Sequence, residues 1–163
     1  MLEELKSLHE AIVAQLKETA TNSYNSFYRA YELLNEDKDK SKEMFIHILN
    51  NNDYLIASLD YYNDVFKDFD RSEDYLYISQ ILSLQIKTSQ NLFVIARSEK
   101  KESEKEYYLA KKDEYKKELY FYYLIGSVNE KIKNILEAFV KDAEISENIV
   151  LLAENRYKNY INK

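Results

Sequence analysis

From Leu2 to Leu34 the apolar positions fall at 2, 5, 9, 12, 16, 20, 24, 27, 31 and 34, with His9 counted among them. Steps of three and four throughout predict one amphipathic helix, about 50 Å long at about 1.5 Å per residue. The polar run Asn35 to Ser41 interrupts the pattern with several capping side chains, so a short link is expected there. A second helix follows over 42–69, with Ile48, Leu55, Leu59, Tyr62, Phe66 and Phe69 on one face. The consecutive Asn50, Asn51 and Asn52 are poor helix formers and mark a place for a kink before Asp53. Asp70, with Glu73 three residues on, reads as a capping signature that opens a third helix. That helix carries Ile78, Ile81, Leu82, Ile86, Leu92, Phe93 and Ala96 on a wide apolar face, and Ser79, Ser83, Gln90 and Arg97 opposite.

The charged segment Ser98 to Glu106 contains no helix breaker. It is read as a link capped through Ser103 and Glu106, with one continuous rod as the alternative. Beyond it, every residue from Leu119 to Ile125 is apolar or aromatic, so a helix there has no polar face and must be covered on all sides. It is too short for a membrane span, which needs about 20 such residues. Gly126 is expected to end this helix in a left-handed conformation. Ser127 with Glu130 opens a fifth helix bearing Val128, Ile132, Ile135, Leu136 and Phe139, and Ser146 caps a last one. The pattern as a whole predicts an all-α fold: one elongated bundle of five or six long helices over residues 1–163, with the third and fourth helices central.

Composition sharpens this reading. The 163 residues include no proline and one glycine, which leaves little material for hairpins and strand edges. The absence of cysteine removes disulfides, thiolate nucleophiles and cysteine-ligated zinc, and fits a reducing compartment. The first ten residues carry acids and no apolar stretch, so no secretory signal is read, and an intracellular, cytoplasmic location is the expectation. A net charge of −6 disfavours a broad grip on nucleic acid or anionic lipid, both of which need clustered lysine and arginine.

Most catalytic equipment is missing. One glycine cannot build a phosphate-cradling loop or a dinucleotide fingerprint. A di-iron carboxylate bundle needs Glu-x-x-His on two helices, whereas Lys6 and Met44 stand three residues before His9 and His47. His9 lies among Leu5, Ile12 and Val13 and reads as a core-edge residue, and His47 as a surface partner of Glu43 one turn away. A carboxylate-based hydrolase therefore has little support, and no cofactor or metal is expected.

Three surface features remain. Between Asp53 and Asp74 seven acids meet two bases, a net of −5 that accounts for nearly all of the chain's imbalance. Asp53, Asp60, Asp64 and Asp68 fall within about 80° of one another on a helical wheel. Such a ridge costs a helix a few tenths of a kcal/mol per like-charged pair and is taken as the partner-binding face. Between Arg97 and Glu118 eight bases oppose seven acids, and Lys111, Lys112, Lys116 and Lys117 with Tyr107, Tyr108 and Tyr115 form the alternative, a nucleic-acid contact. The third feature is tyrosine: sixteen of them, several adjacent in sequence, cannot all enter one core, so some must lie at a boundary or an interface. The expected function is a non-enzymatic protein-binding module, an adaptor, inhibitor or assembly subunit, of the kind common among accessory proteins of phages and mobile elements. Its partner would be a basic protein or a second copy of the chain, with no membrane and no direct nucleic-acid contact in the favoured reading.

Overall fold

The computed structural model describes residues 1–163, and they form six α-helices and no strand. Helix α1 spans Leu2–Leu33, α2 Lys38–Val65, α3 Ser72–Ser98, α4 Glu102–Gly126, α5 Glu130–Ala143 and α6 Glu147–Ile161. On α1 the buried positions are Ile12, Leu16, Ala20, Ser23, Phe27 and Ala30, a spacing of three and four as expected, but Leu2, Tyr24 and Tyr31 of the expected apolar face are exposed, with Ser23 and Ala30 in the core in place of the two tyrosines. Asp37 caps α2 by accepting from the Lys40 amide at 3.1 Å, so that helix begins and ends about four residues before the expected bounds. It runs without a break through Asn50–Asn52. Asn52 is buried there and bonds to both neighbouring helices, which offsets its poor propensity.

Helix α3 is the axis of the bundle and packs against α1, α2, α4 and α5, while α6 packs only on α4. Its polar side is not what the periodicity indicates. Ser79 and Ser83 are buried, as are Gln85, Thr88 and Ser89, and only Gln90 and Arg97 of the expected polar side reach solvent. Serine is small enough to sit between closely packed helices, so its presence says little about exposure. The stretch Leu119–Ile125 on α4 is buried or half-buried at every position, as an all-round apolar helix must be.

The links correct several finer expectations. Only Glu99–Lys101 separate α3 from α4. Lys100 takes a left-handed conformation (φ 58°), and the Lys101 amide reaches back to the Ala96 carbonyl at 2.9 Å. This closes the helix end without glycine. Lys42 clasps the turn through Glu99 at 3.0 Å and Glu104 at 3.2 Å, and the Ser103–Glu106 capping box is not used. Gly126 has no positive φ. Its requirement is space, since a Cβ there would stand 2.5 Å from Leu136 Cδ1. The cap of α5 is Asn129 rather than Ser127, its side chain accepting from the Lys131 amide at 2.9 Å.

Helices α2 and α4 lie diagonally across the bundle and never pack backbone to backbone. Polar side chains bridge the gap at two heights. In one layer Ser23, Asn52 and Gln85 are joined across α1, α2 and α3, and Gln85 donates on to the Tyr115 hydroxyl of α4. In the other, His9 of α1 meets Asp74 of α3 at 3.0 Å, Arg71 donates to Asp74 at 2.8 Å and to Asn63 of α2, and Asn63 donates to the Tyr122 hydroxyl of α4. Each layer ties four helices together. A buried polar group left without its partners is costly, so an axial slip of one helix past another would be penalised at both layers.

Candidate functional site: the acidic face of α2

The four expected partner-binding acids divide into two kinds. Asp53 is half-buried and faces α4, where the Lys111 ammonium reaches it at 2.9 Å and the Tyr115 hydroxyl donates to its other oxygen. Burial pushes the Tyr115 phenol far above its ordinary pKa, and the bond to Asp53 adds to this. Burial works to lower the pKa of Lys111, but the hydrogen bond and charge of Asp53 outweigh it, and the result is raised. Asp53 is therefore a structural clasp between α2 and α4 and not a free docking group.

Asp60 is exposed and takes a 2.6 Å bond from Arg156 of α6. The same guanidinium contacts Glu118 of α4 at 2.6 Å and lies 3.9 Å over the Phe121 ring. Arg156 thus pins α6 to both α2 and α4. Burial raises the Glu118 carboxyl above the usual range even though Arg156 pulls it down. Nothing about Arg156 in the sequence announced this, because its partners lie 96 and 38 residues away.

Asp64 and Asp68 remain. Both are exposed and neither forms an ion pair or hydrogen bond within the chain. Asp64 stands one turn beyond Tyr61 on the outward side of α2, whereas Asp68 lies past the helix end at Val65, in the turn that leads to α3, so the helical ridge expected from the sequence does not extend to it. Tyr61 is 65% exposed, while its neighbour Tyr62 turns inward and stacks on Phe66. The other acids of the segment are occupied: Asp70 accepts from the Ser72 amide and hydroxyl, Glu73 from the Tyr77 hydroxyl, and Asp74 is fully buried.

The alternative site fares differently. Lys111 is held by Asp53, and Lys117 lies 3.3 Å from Glu114. Lys112 donates to Gln90 and Lys116 to the Glu144 carbonyl, and burial together with Lys112 lowers the pKa of Lys116. Tyr108 and Tyr115 are buried, which leaves Tyr107 alone of the three free to stack on a base. The lysines and tyrosines of that segment do not form one accessible surface.

His9 sits at the core edge against Phe66 and Phe69, as its helical neighbours implied. His47 bonds Asn51 at 2.9 Å and not Glu43. No three histidine or carboxylate side chains come together in a way that would hold a metal ion, and no helix is long and apolar enough to cross a membrane. No protein family, curated protein or solved structure matches this chain.

Proposed function

We propose that the chain is a non-enzymatic protein-binding module whose outer α2 face docks a basic partner protein. The observation that carries this reading is Asp64, unpartnered one turn from the exposed Tyr61 on α2, with the equally unpartnered Asp68 in the turn that follows the helix. Neighbouring acids Asp53, Asp60 and Asp74 each have a cation from the chain itself, so an acid left without one contributes nothing to the fold and costs a little by repulsion. A basic partner supplies the missing charge and gains association rate from it. Tyr61 supplies the anchor, since tyrosine brings a large contact area with few rotatable bonds. A cytoplasmic setting, where the chain's lack of cysteine matters least, belongs to the same reading.

The test is a nuclease-treated pull-down from the native host, comparing wild type with the triple variant Tyr61→Ala, Asp64→Asn, Asp68→Asn, followed by titration of the purified partner. A basic protein that binds wild type in a salt-sensitive way and is lost from the variant supports the reading, whereas a second copy of the chain, itself of net charge −6, as the sole partner refutes it. Asp53 and Asp60 stay intact, so the variant keeps its helix clasps. Equal retention by both proteins, or a partner held equally well at high salt, refutes it.

A further inference from the structure

A second surface, between α1 and α2, differs chemically from the rest of the chain. The cleft there is an open groove of about 470 Å³, and no Lys, Arg, Asp or Glu lines it although such residues make up 32% of the chain. Its walls are hydrogen-bonding side chains: Gln15, Thr19, Asn22 and Ser26 from α1, facing His47, Asn51 and Ser58 from α2, with the His47 ring bonded to the Asn51 amide at 2.9 Å. Packing accounts for the deepest members of this surface, because Ser23 and Asn52 belong to the layer that reaches Gln85. It does not account for the others. Gln15, Thr19, Asn22 and Ser26 form no side-chain hydrogen bond within the protein.

Their cost is visible in the helices themselves. Thr19, Asn22, Ser23 and Ser26 of α1 and Asn51 and Asn52 of α2, all poor helix formers, line this one cleft, at a cost of up to about 0.7 kcal/mol per residue relative to alanine. Elsewhere the solvated face of α1 uses Glu3, Glu4, Lys6, Glu10, Lys17 and Glu18, which favour helix. A local rule broken without a packing gain is the mark of a binding surface.

The lining also defines the ligand. A phosphate or carboxylate entering this cleft would find no lysine or arginine, only the His47 imidazole already bonded to Asn51, and an ammonium would find no carboxylate, so a charged group would lose hydration with little compensation. Amides and hydroxyls both donate and accept, which matches an array of ligand hydroxyls. Apolar surface is present as well, with Ile48 and Leu55 at the floor and Tyr62 half-buried at one end. Tyr54, 85% exposed, offers an open ring at the rim for the C–H face of a sugar. The volume lies in the range of about 300–1,000 Å³ in which small-molecule sites fall. We propose that the α1–α2 cleft binds a neutral carbohydrate of one or two rings, held by the amide and hydroxyl side chains of both helices and stacked on Tyr54.

The experiment is a titration of isotope-labelled protein followed by backbone amide shifts. The probes are maltose, cellobiose, lactose and diacetylchitobiose, with adenosine and uridine as a nucleoside arm and a hexose phosphate as a charged arm. At least one neutral sugar is expected to give saturable shifts confined to residues 15–26 and 47–62, with a dissociation constant on the order of 1 mM that added salt does not change. Tyr54→Ala and Asn22→Ala, both at exposed positions, should each weaken binding at least about fivefold with unchanged helicity, a factor of the size that loss of one contact gives. Absence of shifts with every neutral sugar overturns the proposal. So does binding confined to the nucleosides, tighter binding of the hexose phosphate, or shifts that survive both substitutions.

Discussion

Asp74→Asn is the sharpest test of the way this bundle is held together. Asp74 is fully buried, accepts from Arg71 at 2.8 Å and meets His9 at 3.0 Å, and Arg71 itself is only 3% exposed. Asparagine keeps the shape and removes the charge, so the substitution leaves the Arg71 guanidinium buried with no counterion. Two unit charges about 4 Å apart attract by about 4 kcal/mol at the effective dielectric constant of about 20 suited to such sites. That value lies within the cost of about 3–5 kcal/mol for breaking a buried ion pair from one side. With a urea slope of about 2 kcal/mol/M, the unfolding midpoint should fall by about 1.5–2.5 M. Removing both charges in Arg71→Met with Asp74→Leu should recover at least about half of the loss, because the penalty comes from the stranded cation and not from the missing attraction. Urea unfolding followed by circular dichroism measures all three proteins. A cost below about 1 kcal/mol for Asp74→Asn, or a double variant no better than the single one, would show that the His9–Asp74–Arg71–Asn63 layer is not the clasp described here.

Two further outcomes follow from the helix ends and the α6 clasp. Lys100 closes α3 with φ 58°, so Lys100→Gly should raise stability by about 0.5–1 kcal/mol in the same urea assay, and a loss would refute the left-handed cap. Burial holds the Glu118 carboxyl above its ordinary value of 4.5, and the sign follows from proton binding: the folded state takes up the proton more readily than the unfolded one. The resulting stabilisation is complete below pH 4.5 and is lost as pH rises through the higher folded value, so wild type should lose ground to Glu118→Gln on going from pH 4.5 toward neutrality. A difference between the two proteins that stays constant over that window would refute the assignment.

Much of the architecture was legible in the chain because helical periodicity is a local property. The three-and-four spacing from Leu2 to Leu34, the all-apolar Leu119–Ile125 and the scarcity of glycine and proline are enough to require long helices and a bundle. The adjacent tyrosine pairs behaved as geometry demands: Tyr61 and Tyr107 are exposed while Tyr62 and Tyr108 turn inward. Local capping was less legible. Asn129 took the α5 cap that Ser127 fits equally well on paper, α4 ends at Gly126 without the left-handed turn expected there, and Lys100 closes α3 in that conformation instead, because how a helix closes depends on the angle at which the next one packs.

The fate of each charge was decided only by the tertiary structure. A helical wheel puts Asp53, Asp60, Asp64 and Asp68 on one ridge and cannot see that α4 brings Lys111 and Tyr115 to the first, α6 brings Arg156 to the second, and the helix ends at Val65, before the fourth. The same holds for the serines of α3 and for the neutral cleft between α1 and α2, whose two walls are about 30 residues apart in sequence. Periodicity reports which side of a helix avoids water, since that depends on the residue and its near neighbours. What a polar side chain meets depends on elements far along the chain, and that is set only when the helices have packed.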